Sequence, residues 1–450
     1  MSGDNGHKGN APTMPFDMHS SENLIMLEGI NKAVPIGDSN VNSLSATVQY
    51  SKAVFEGAKF VLIKAPGSSL YRIAFFHPFD NYERMRDSVA ALGDAFPSYT
   101  NEQLIIAATS LVFMNRWDEN WPAKITEGEE TKASMLYVRP FAHAKTNYSI
   151  GIYQKCEMEV STTVLPLFSY LGKSAEENGA KVLLFSEPRS APYPQFKASA
   201  NYPQNMMAKR LSVEEYGCDE VLFLRPNQED MANICEKEII ETSGQTPAIY
   251  KEQASGKMEL ILPPFEHGRL DGITMQAVAR IARKHGIEVV ERLILVQDIL
   301  DSDCFFLTGN ATGAVRIGTL VMAIDRKPRP IGTSKGNEFF EHIIKTEFLG
   351  KVLSEGSEEY GRLMVYTDEC FTERHIDYLK SIADELGDRA AAVKLAVQKM
   401  TGLGCVRADV SAWYELKEPG LRPNALAGLR TDKLYARKLH DVAKAASPII

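Results

Sequence analysis

The sequence predicts a mixed α/β (α+β) fold laid out in two successive blocks, with a mostly helical stretch after them. Three observations carry this prediction. Strand-like and helix-like segments alternate twice along the chain. A polar stretch bounded by glycines, Gly172–Gly179, separates the two series. Beyond about residue 345 the β-formers give way to helical spacing. With 450 residues, 44% of them hydrophobic, the chain is long enough for two or three domains with sizeable cores. The expected organisation is a disordered tail over 1–22, a smaller amino-terminal α/β domain over 23–172, an interdomain loop over 173–180, a larger domain over 181–345, and a mostly helical carboxyl-terminal extension over 346–450.

The elements follow in order. Residues 1–22 are polar and aperiodic, which gives them too little apolar surface to order themselves. Asn42 to Phe60 carries β-formers, and the run Val54-Phe55-Glu56-Gly57 ahead of Lys59–Ile63 reads as strand, tight turn and strand. Asp80 is placed to cap a helix in which Tyr82, Met85, Val89 and Leu92 recur at helical spacing. Glu102–Arg116 is a second helix, and Ala133–Phe141 and Glu157–Leu167 are strands. After the polar stretch, Lys181–Ser186 begins a new strand. Pro203–Tyr216 reads as a helix that opens on proline and closes on Gly217. Asp219–Leu224 is a strand, Ile273–His285 a helix closed by Gly286, and Ile287–Val296 and Cys304–Leu307 are strands. Further on, Glu373–Leu386, Ala390–Met400 and Thr431–Ala446 read as helices.

Composition narrows the functional classes. The net charge is −8, from 50 basic and 58 acidic residues, with no dense basic run, so nothing points to a nucleic-acid partner. The six cysteines are far apart, form no Cys-x-x-Cys pair and have no zinc-ligand spacing with histidine; the expectation is reduced thiols and no metal site. No apolar run approaches the roughly 20 residues that span a bilayer, and the amino-terminal stretch lacks the features of a secretory or transit signal, so the expected compartment is the cytoplasm, away from membranes.

One candidate stretch is Phe196-Lys197-Ala198-Ser199-Ala200-Asn201-Tyr202, where one lysine stands among small residues, an amide and a tyrosine, a pattern that says little by itself. A lysine in partly desolvated surroundings loses its proton more readily and becomes a nucleophile for carbonyl carbon. A second local signal is Gly272-Ile273-Thr274, a turn leading into a helix, which aims unpaired N–H groups at an anion. Arg84 lies near the start of a predicted helix, where the dipole disfavours a cation, so a bound anion accounts for it better than helix stability does. Tyr137 and Arg139, two apart in a strand, share a face, and an arginine in that apolar segment calls for an anionic partner.

Taken together, these segments resemble the branched-chain amino-acid aminotransferases, class IV aminotransferases of the fold-type IV pyridoxal-phosphate architecture. Tyr50-Ser51-Lys52-Ala53-Val54-Phe55-Glu56-Gly57-Ala58-Lys59 is similar to H-Y-S-x-x-V-F-E-G-x-K, with Gln49 in place of the histidine. His77-Pro78 and Asn81–Met85 are similar to R-P-x-x-N-x-x-R-M, and Leu136–Pro140 matches L-Y-V-R-P. Lys197–Tyr202 corresponds to K-x-G-G-N-Y with both glycines replaced. Glu241–Thr246 is similar to E-G-S-G-E-N, Leu270–Thr274 to L-P-G-I-T, and Phe306–Ala311 to F-x-x-G-T-A, with Asn310 in place of threonine.

The resemblance implies two α/β domains with the active site between them and transamination between an amino acid, branched-chain or aliphatic, and a 2-oxo acid such as 2-oxoglutarate. It makes Lys197 the catalytic lysine that binds the aldehyde of pyridoxal 5'-phosphate. It makes Arg84, Tyr202, Glu241, Ile273, Thr274, Asn310 and Ala311 cofactor-binding, and Tyr50, Phe55, Tyr137, Arg139 and Tyr170 substrate-binding. Glu241 would face the pyridine nitrogen, with Glu236 and Glu238 as competitors because Gln228–Glu238 reads as an insertion. A homodimer is implied as well. Asp271 stands where the family has proline and brings a negative charge toward the expected phosphate, unless it is paired or turned away. Other readings in view are a related enzyme of the same fold (a D-amino-acid or amine aminotransferase, or an aminodeoxychorismate lyase) and a degenerate binding or scaffold protein.

Overall fold

Two sheets organise the protein, which in this computed structural model is described for residues 24–27, 32–35, 45–64, 71–115, 135–145, 156–167, 169–226, 228, 233–344 and 363–365. Among the described residues the first sheet has eight strands: β1 (Leu24–Leu27), β2 (Lys32–Pro35), β3 (Ala53–Phe55), β4 (Ala58–Lys64), β5 (Tyr71–Phe76), β6 (Met135–Ala144), β7 (Met158–Leu167) and, from far along the chain, β18 (Leu363–Val365). Their order is β18-β5-β4-β6-β7-β1-β2, with β3 also paired to β6. All of these pairings are antiparallel, and β6 and β7 match over ten positions, from Met135 opposite Leu167 to Ala144 opposite Met158.

The second sheet has ten strands among the described residues: β8 (Ala180–Pro188), β9 (Glu220–Leu224), β10 (Glu238–Thr242), β11 (Thr246–Glu252), β12 (Met258–Leu262), β13 (Glu288–Glu291), β14 (Ile294–Leu295), β15 (Cys304–Gly309), β16 (Gly313–Met322) and β17 (Pro328–Pro330). Their order is β13-β12-β11-β15-β16-β8-β9-β10-β14, with β17 on β16. The pairs β8–β9, β8–β16 and β12–β13 are parallel. A parallel pair needs a crossover, and the chain between β8 and β9 supplies one, carrying the Lys197 heptad and a helix.

The described helices are α1 (Ala46–Tyr50), α2 (Pro78–Ala91), α3 (Asn101–Met114), α4 (Lys173–Asn178), α5 (Pro203–Tyr216), α6 (Ile273–Lys284), α7 (Val296–Leu300) and α8 (Ser334–Phe339). Phe79, Tyr82, Met85 and Val89 line the buried face of α2, at the spacing that one helical stripe requires. Helix α5 has the predicted ends: Pro203 in its first turn and Gly217 in the left-handed conformation (φ 57°) that closes it. Phe76, at the end of β5, packs among Ala248, Tyr250, Met275 and Phe339, so an aromatic of the first sheet is seated in the core of the second. Burial of one such side chain is worth about 1.5–3 kcal/mol. None of the helices among the described residues is long and apolar enough to cross a membrane.

Several local readings change. Ala46–Tyr50 is a short helix capped by Ser45, whose side chain accepts from Val48 N–H, where a strand was expected. Helix α2 begins at Pro78; His77 occupies the capping position in the left-handed region (φ 48°), and Asp80 accepts from its Nδ1 at 2.9 Å instead of capping. Most of the polar stretch expected as a loop over 173–180 is helix α4, held between Gly172 and Gly179 at φ 92° and 87°. Ile287–Val296 splits into β13 and β14, with its last residue opening α7. The expected tail over 1–22 and the helices expected at Glu373–Leu386, Ala390–Met400 and Thr431–Ala446 lie outside the described residues.

Candidate active site

A cavity of about 480 Å³ opens where the β8–α5 connection meets β3, β10 and the start of α6, a size ordinary for a small-molecule site. Twelve of the thirteen residues singled out from the sequence line it: Phe55, Arg84, Tyr137, Arg139, Tyr170, Lys197, Tyr202, Glu241, Ile273, Thr274, Asn310 and Ala311. Tyr50 does not. It ends helix α1 and is 42% exposed, and Ser51 after it takes a left-handed turn (φ 53°), so Phe55 enters the cavity while Tyr50 stays outside this chain's own site.

The lysine is held by its backbone from two sides. Lys197 N–H donates to Ser88 Oγ (3.1 Å) on α2, and its carbonyl accepts from Phe55 N–H (3.2 Å), extending the edge of β3 through a bridge between Val54 and Ala198. Asn201, 1% exposed, shapes the loop from within: its amide donates to the carbonyls of Tyr193 and Phe196 (2.7 and 2.8 Å), and its Oδ1 accepts from Tyr193 N–H (2.9 Å). The half-buried Lys197 Nζ lies 3.2 Å from Tyr202 Oη, to which it donates, and 4.9 Å from the centre of the Phe55 ring. The replaced glycines are accommodated in a 3-10 turn, Ser199–Asn201, in which neither Ser199 nor Ala200 has a positive φ. Ser199 faces the cavity and Ala200 does not line it.

One end of the cavity is a cup lined by hydrogen-bond donors. Helix α6 starts at Gly272 without a side-chain cap, which leaves the first-turn N–H groups of Ile273 and Thr274 directed outward. Across from them is the turn Asn310–Thr312 between β15 and β16. Arg84 reaches the same end from α2. Its Nε and Nη2 donate to both oxygens of Glu56 (2.7 Å each), and Nη1 donates to the Asp271 carbonyl (2.6 Å). Burial by itself would lower the Arg84 pKa, but the Glu56 carboxylate outweighs it and holds the guanidinium above its ordinary value. Three of the five guanidinium N–H bonds are thereby engaged, leaving one each on Nη1 and Nη2. The Asp271 side chain does not line the cavity; it accepts from Gln276 Nε2 (2.7 Å), and Arg269 Nη1 lies 3.9 Å from its Oδ1.

At another point of the wall stands Glu241, 4% exposed. Its Oε1 accepts from Leu270 N–H (2.8 Å) and Thr246 Oγ1 (3.2 Å), and Arg189 Nη2 lies 3.2 Å from its Oε2. Burial pushes its carboxyl above the ordinary carboxylate range, an effect that Arg189 and the Leu270 N–H partly offset. The competing carboxylates are elsewhere: Glu236 is exposed and bonded to Asn233, and Glu238 pairs with Arg225, neither lining the cavity. Arg189 Nε is buried without a hydrogen-bond partner among the described residues.

The third wall is aromatic and cationic. Tyr137 and Arg139 share a face of β6, and the Arg139 guanidinium lies over the rings of Phe55 (4.5 Å) and Tyr137 (5.0 Å) with no carboxylate bonded to it among the described residues. Gly57 is required beside them, because a Cβ there would come within 1.8 Å of the Tyr137 hydroxyl. Burial pushes the Tyr170 phenol upward, so it stays protonated. Reasoning from sequence missed Glu56, Arg189 and Asn81 as parts of this site. Glu56 and Asn81 stood inside the quoted F-E-G and R-P-x-x-N-x-x-R-M segments, which were the available signal; for Arg189 no local signal exists.

An uncapped helix start, an arginine, a buried carboxylate and a nucleophile-type lysine thus surround one cavity, and comparison with known proteins agrees with that arrangement. Residues 74–320, more than half of the chain, match the sequence profile of the class IV aminotransferases. A probable branched-chain-amino-acid aminotransferase of Staphylococcus aureus (strain N315) is 28% identical over 298 residues, 64% of this chain and 74% of the relative. The fold is similar to that of the branched-chain aminotransferase of Thermoproteus uzoniensis solved with norvaline, at a TM-score of 0.58 and 24% identity over 76% of this chain and 98% of that one. It is also similar to the PLP-form of the Thermobaculum terrenum branched-chain amino acid aminotransferase, at a TM-score of 0.57 and 20% identity over the same shares, 76% and 98%. The chain belongs to the class IV aminotransferase family, as a divergent member related to the branched-chain amino-acid aminotransferases.

Proposed function

We propose that the protein uses pyridoxal 5'-phosphate to transfer the amino group of a branched-chain or other aliphatic amino acid to a 2-oxo acid, 2-oxoglutarate first among them. The observation that carries this reading is the meeting of Lys197, Arg84 and Glu241, from three separate stretches of chain, in one cavity. The residues fit the cofactor. The N–H groups of Ile273, Thr274, Asn310 and Ala311 and the two remaining Arg84 N–H bonds suit a phosphate. Gly272 and Gly309 keep the walls open, since a Cβ would come within 3.3 Å of Thr246 and 3.2 Å of Gln245, respectively.

When bound, the cofactor supplies an electron-accepting ring that lets an amino acid give up its α-proton. Lys197 Nζ would hold the cofactor aldehyde covalently and, once released by substrate, carry the proton from the substrate Cα. Tyr202 Oη, 3.2 Å from Nζ, orients that amine. Glu241, whose negative charge Arg189 and the Leu270 N–H support, would keep the ring nitrogen protonated. Arg139, a cation without a carboxylate partner among the described residues, would anchor a substrate carboxylate, with Phe55, Tyr137 and Tyr170 walling the side-chain pocket. The norvaline in the Thermoproteus uzoniensis structure is in keeping with an aliphatic side chain. The same reading includes a cytoplasmic homodimer. Tyr50 and Val48, 42% and 53% exposed on α1, are then contacts offered to a second copy, where Tyr50 would meet substrate.

The test is a panel of amino donors with 2-oxoglutarate, reading the glutamate formed by the cofactor-loaded protein. Branched aliphatic donors are expected to give the highest rates, and Lys197→Ala to abolish turnover while keeping a cooperative unfolding transition. Substantial glutamate formation by a folded Lys197→Ala protein refutes the assignment.

A further inference from the structure

Asn310 occupies the position at which the family carries a threonine, and both its amide hydrogens and its oxygen are bonded to protein. Its Oδ1 accepts from Thr274 Oγ1 (2.8 Å), and its Nδ2 donates both to Asn81 Oδ1 (2.8 Å) and to the Gly57 carbonyl. The orientation of this amide is not arbitrary. The Gly57 carbonyl only accepts, so it faces Nδ2; Asn81 in turn donates its own Nδ2 to the His77 carbonyl (2.8 Å), which turns its Oδ1 toward Asn310. Asn81 and Thr274 are 0% and 1% exposed, so a polar group left unpaired there is costly.

Two of these three bonds, those to Gly57 and Asn81, cross between the two sheets. Gly57 and Asn81 belong to the corner and helix that pack with the first sheet, whereas Thr274 and Asn310 belong to the helix start and turn of the second. Arg84 crosses the same seam, with Glu56 on its own side and the Asp271 carbonyl on the other. A threonine at 310 has one hydroxyl hydrogen and cannot donate to both Gly57 and Asn81.

We infer that Asn310 is a positioning residue: its side chain does not bind the ligand but clasps the two halves together, and so sets the spacing between Arg84 on one side and the unpaired N–H groups of Ile273, Thr274, Asn310 and Ala311 on the other. Anion binding in the cup and closure of the seam are therefore coupled, and weakening either weakens the other. The identity of the anion as the cofactor phosphate rests on the function proposed above.

The experiment uses full-length protein with Asn310→Thr, Asn81→Ala and the double variant. The first measurement is affinity for pyridoxal phosphate and, separately, for pyridoxal; the second is thermal unfolding of the cofactor-free protein with and without inorganic phosphate. Asn81 does not line the cavity, so it reports on positioning alone. Each single variant is expected to weaken pyridoxal phosphate about tenfold, the effect of one hydrogen bond. Pyridoxal affinity should be unchanged, and the double variant no weaker than Asn310→Thr. A merely structural role would lower the unfolding temperature without changing phosphate-specific affinity in the folded protein, and that outcome overturns the inference. So does a result in which Asn310→Thr loses affinity but Asn81→Ala keeps it, since Asn310 then contacts the ligand directly. Should the wild-type protein bind no pyridoxal phosphate, the cofactor reading fails by itself. The clasp is then judged on stabilisation by inorganic phosphate, which must be present in the wild type and lost in both single variants; its absence from the wild type overturns the inference too.

Discussion

Lys59 shows how strongly a single position is governed by its surroundings. It follows the F-E-G corner by two residues, is 2% exposed, and places its amine 4.7 Å from the centre of the Phe76 ring. Burial pulls its pKa down to about 8 from the ordinary 10.5. Below about pH 8 the amine is charged in both the folded and unfolded chain, and the folded protein bears the whole desolvation cost, roughly 3 kcal/mol. Between pH 8 and 10.5 the unfolded chain binds more protons, so this cost fades as the pH rises. The stability of wild type relative to Lys59→Met should therefore rise as the pH goes from 8 to 10.5; chemical denaturation of both proteins across that range measures it. A gap that stays constant with pH would show that Lys59 is not the titrating group. Other residues were legible without the fold. Lys197 stood out because family-like segments precede and follow it in the right order, and Glu241 because Ser243-Gly244 follow it as in the resembling motif.

At the scale of elements, the joint between the β3–β4 corner, α2 and the start of α6 deserves the name of hinge pin for the cup. Glu56 is fully buried and holds Arg84 through two bonds of 2.7 Å, and Arg84 passes the connection on to Asp271. Glu56→Gln leaves a buried cation without its counter-charge, so unfolding free energy should fall by about 3–5 kcal/mol. Inorganic phosphate, which restores an anion to Arg84, should recover part of that loss; denaturant curves with and without phosphate test both points, and an unchanged midpoint would show that the pair contributes nothing. The ends of α5 were readable because proline and glycine act through their own backbones. The start of α2 was not: an aspartate three residues into a helix looks like a cap, but Pro78 sets the boundary and His77 takes the left-handed turn before it. Helix α1 was hidden because Ala46–Tyr50 is rich in β-formers, and the Ser45 cap decides its state.

For the whole molecule, the proposed homodimer predicts a solution mass near twice the 50.0 kDa chain, measurable by light scattering after size exclusion. Tyr50→Ala should lower turnover severalfold although Tyr50 lies outside its own chain's cavity, because it would act in the site of the other copy. A monomer of full activity contradicts both statements. The fold class and the order of elements were legible, since alternation and helical stripes are local properties of a chain. The binding motifs were legible as well, in the resemblance that they carry. What no stretch of sequence contains is which polar groups meet. Arg84 finds Glu56 across 28 residues, and Asn310 reaches Gly57 across 253.

The sequence by itself determined the α/β fold class and, through its motifs, the aminotransferase family, and it singled out Lys197 and the helix start at Ile273 as candidates. These depend on side-chain type and near-neighbour spacing. Tertiary structure alone decided that Glu241 and not Glu236 or Glu238 faces the cavity, that Tyr50 is turned out of it, that Asp271 is paired away from the cup, and that Asn310 clasps the halves. The physical reason is the same in each case. Burial and hydrogen-bond partnership belong to a place in space, and that place exists only once strands distant in sequence have paired.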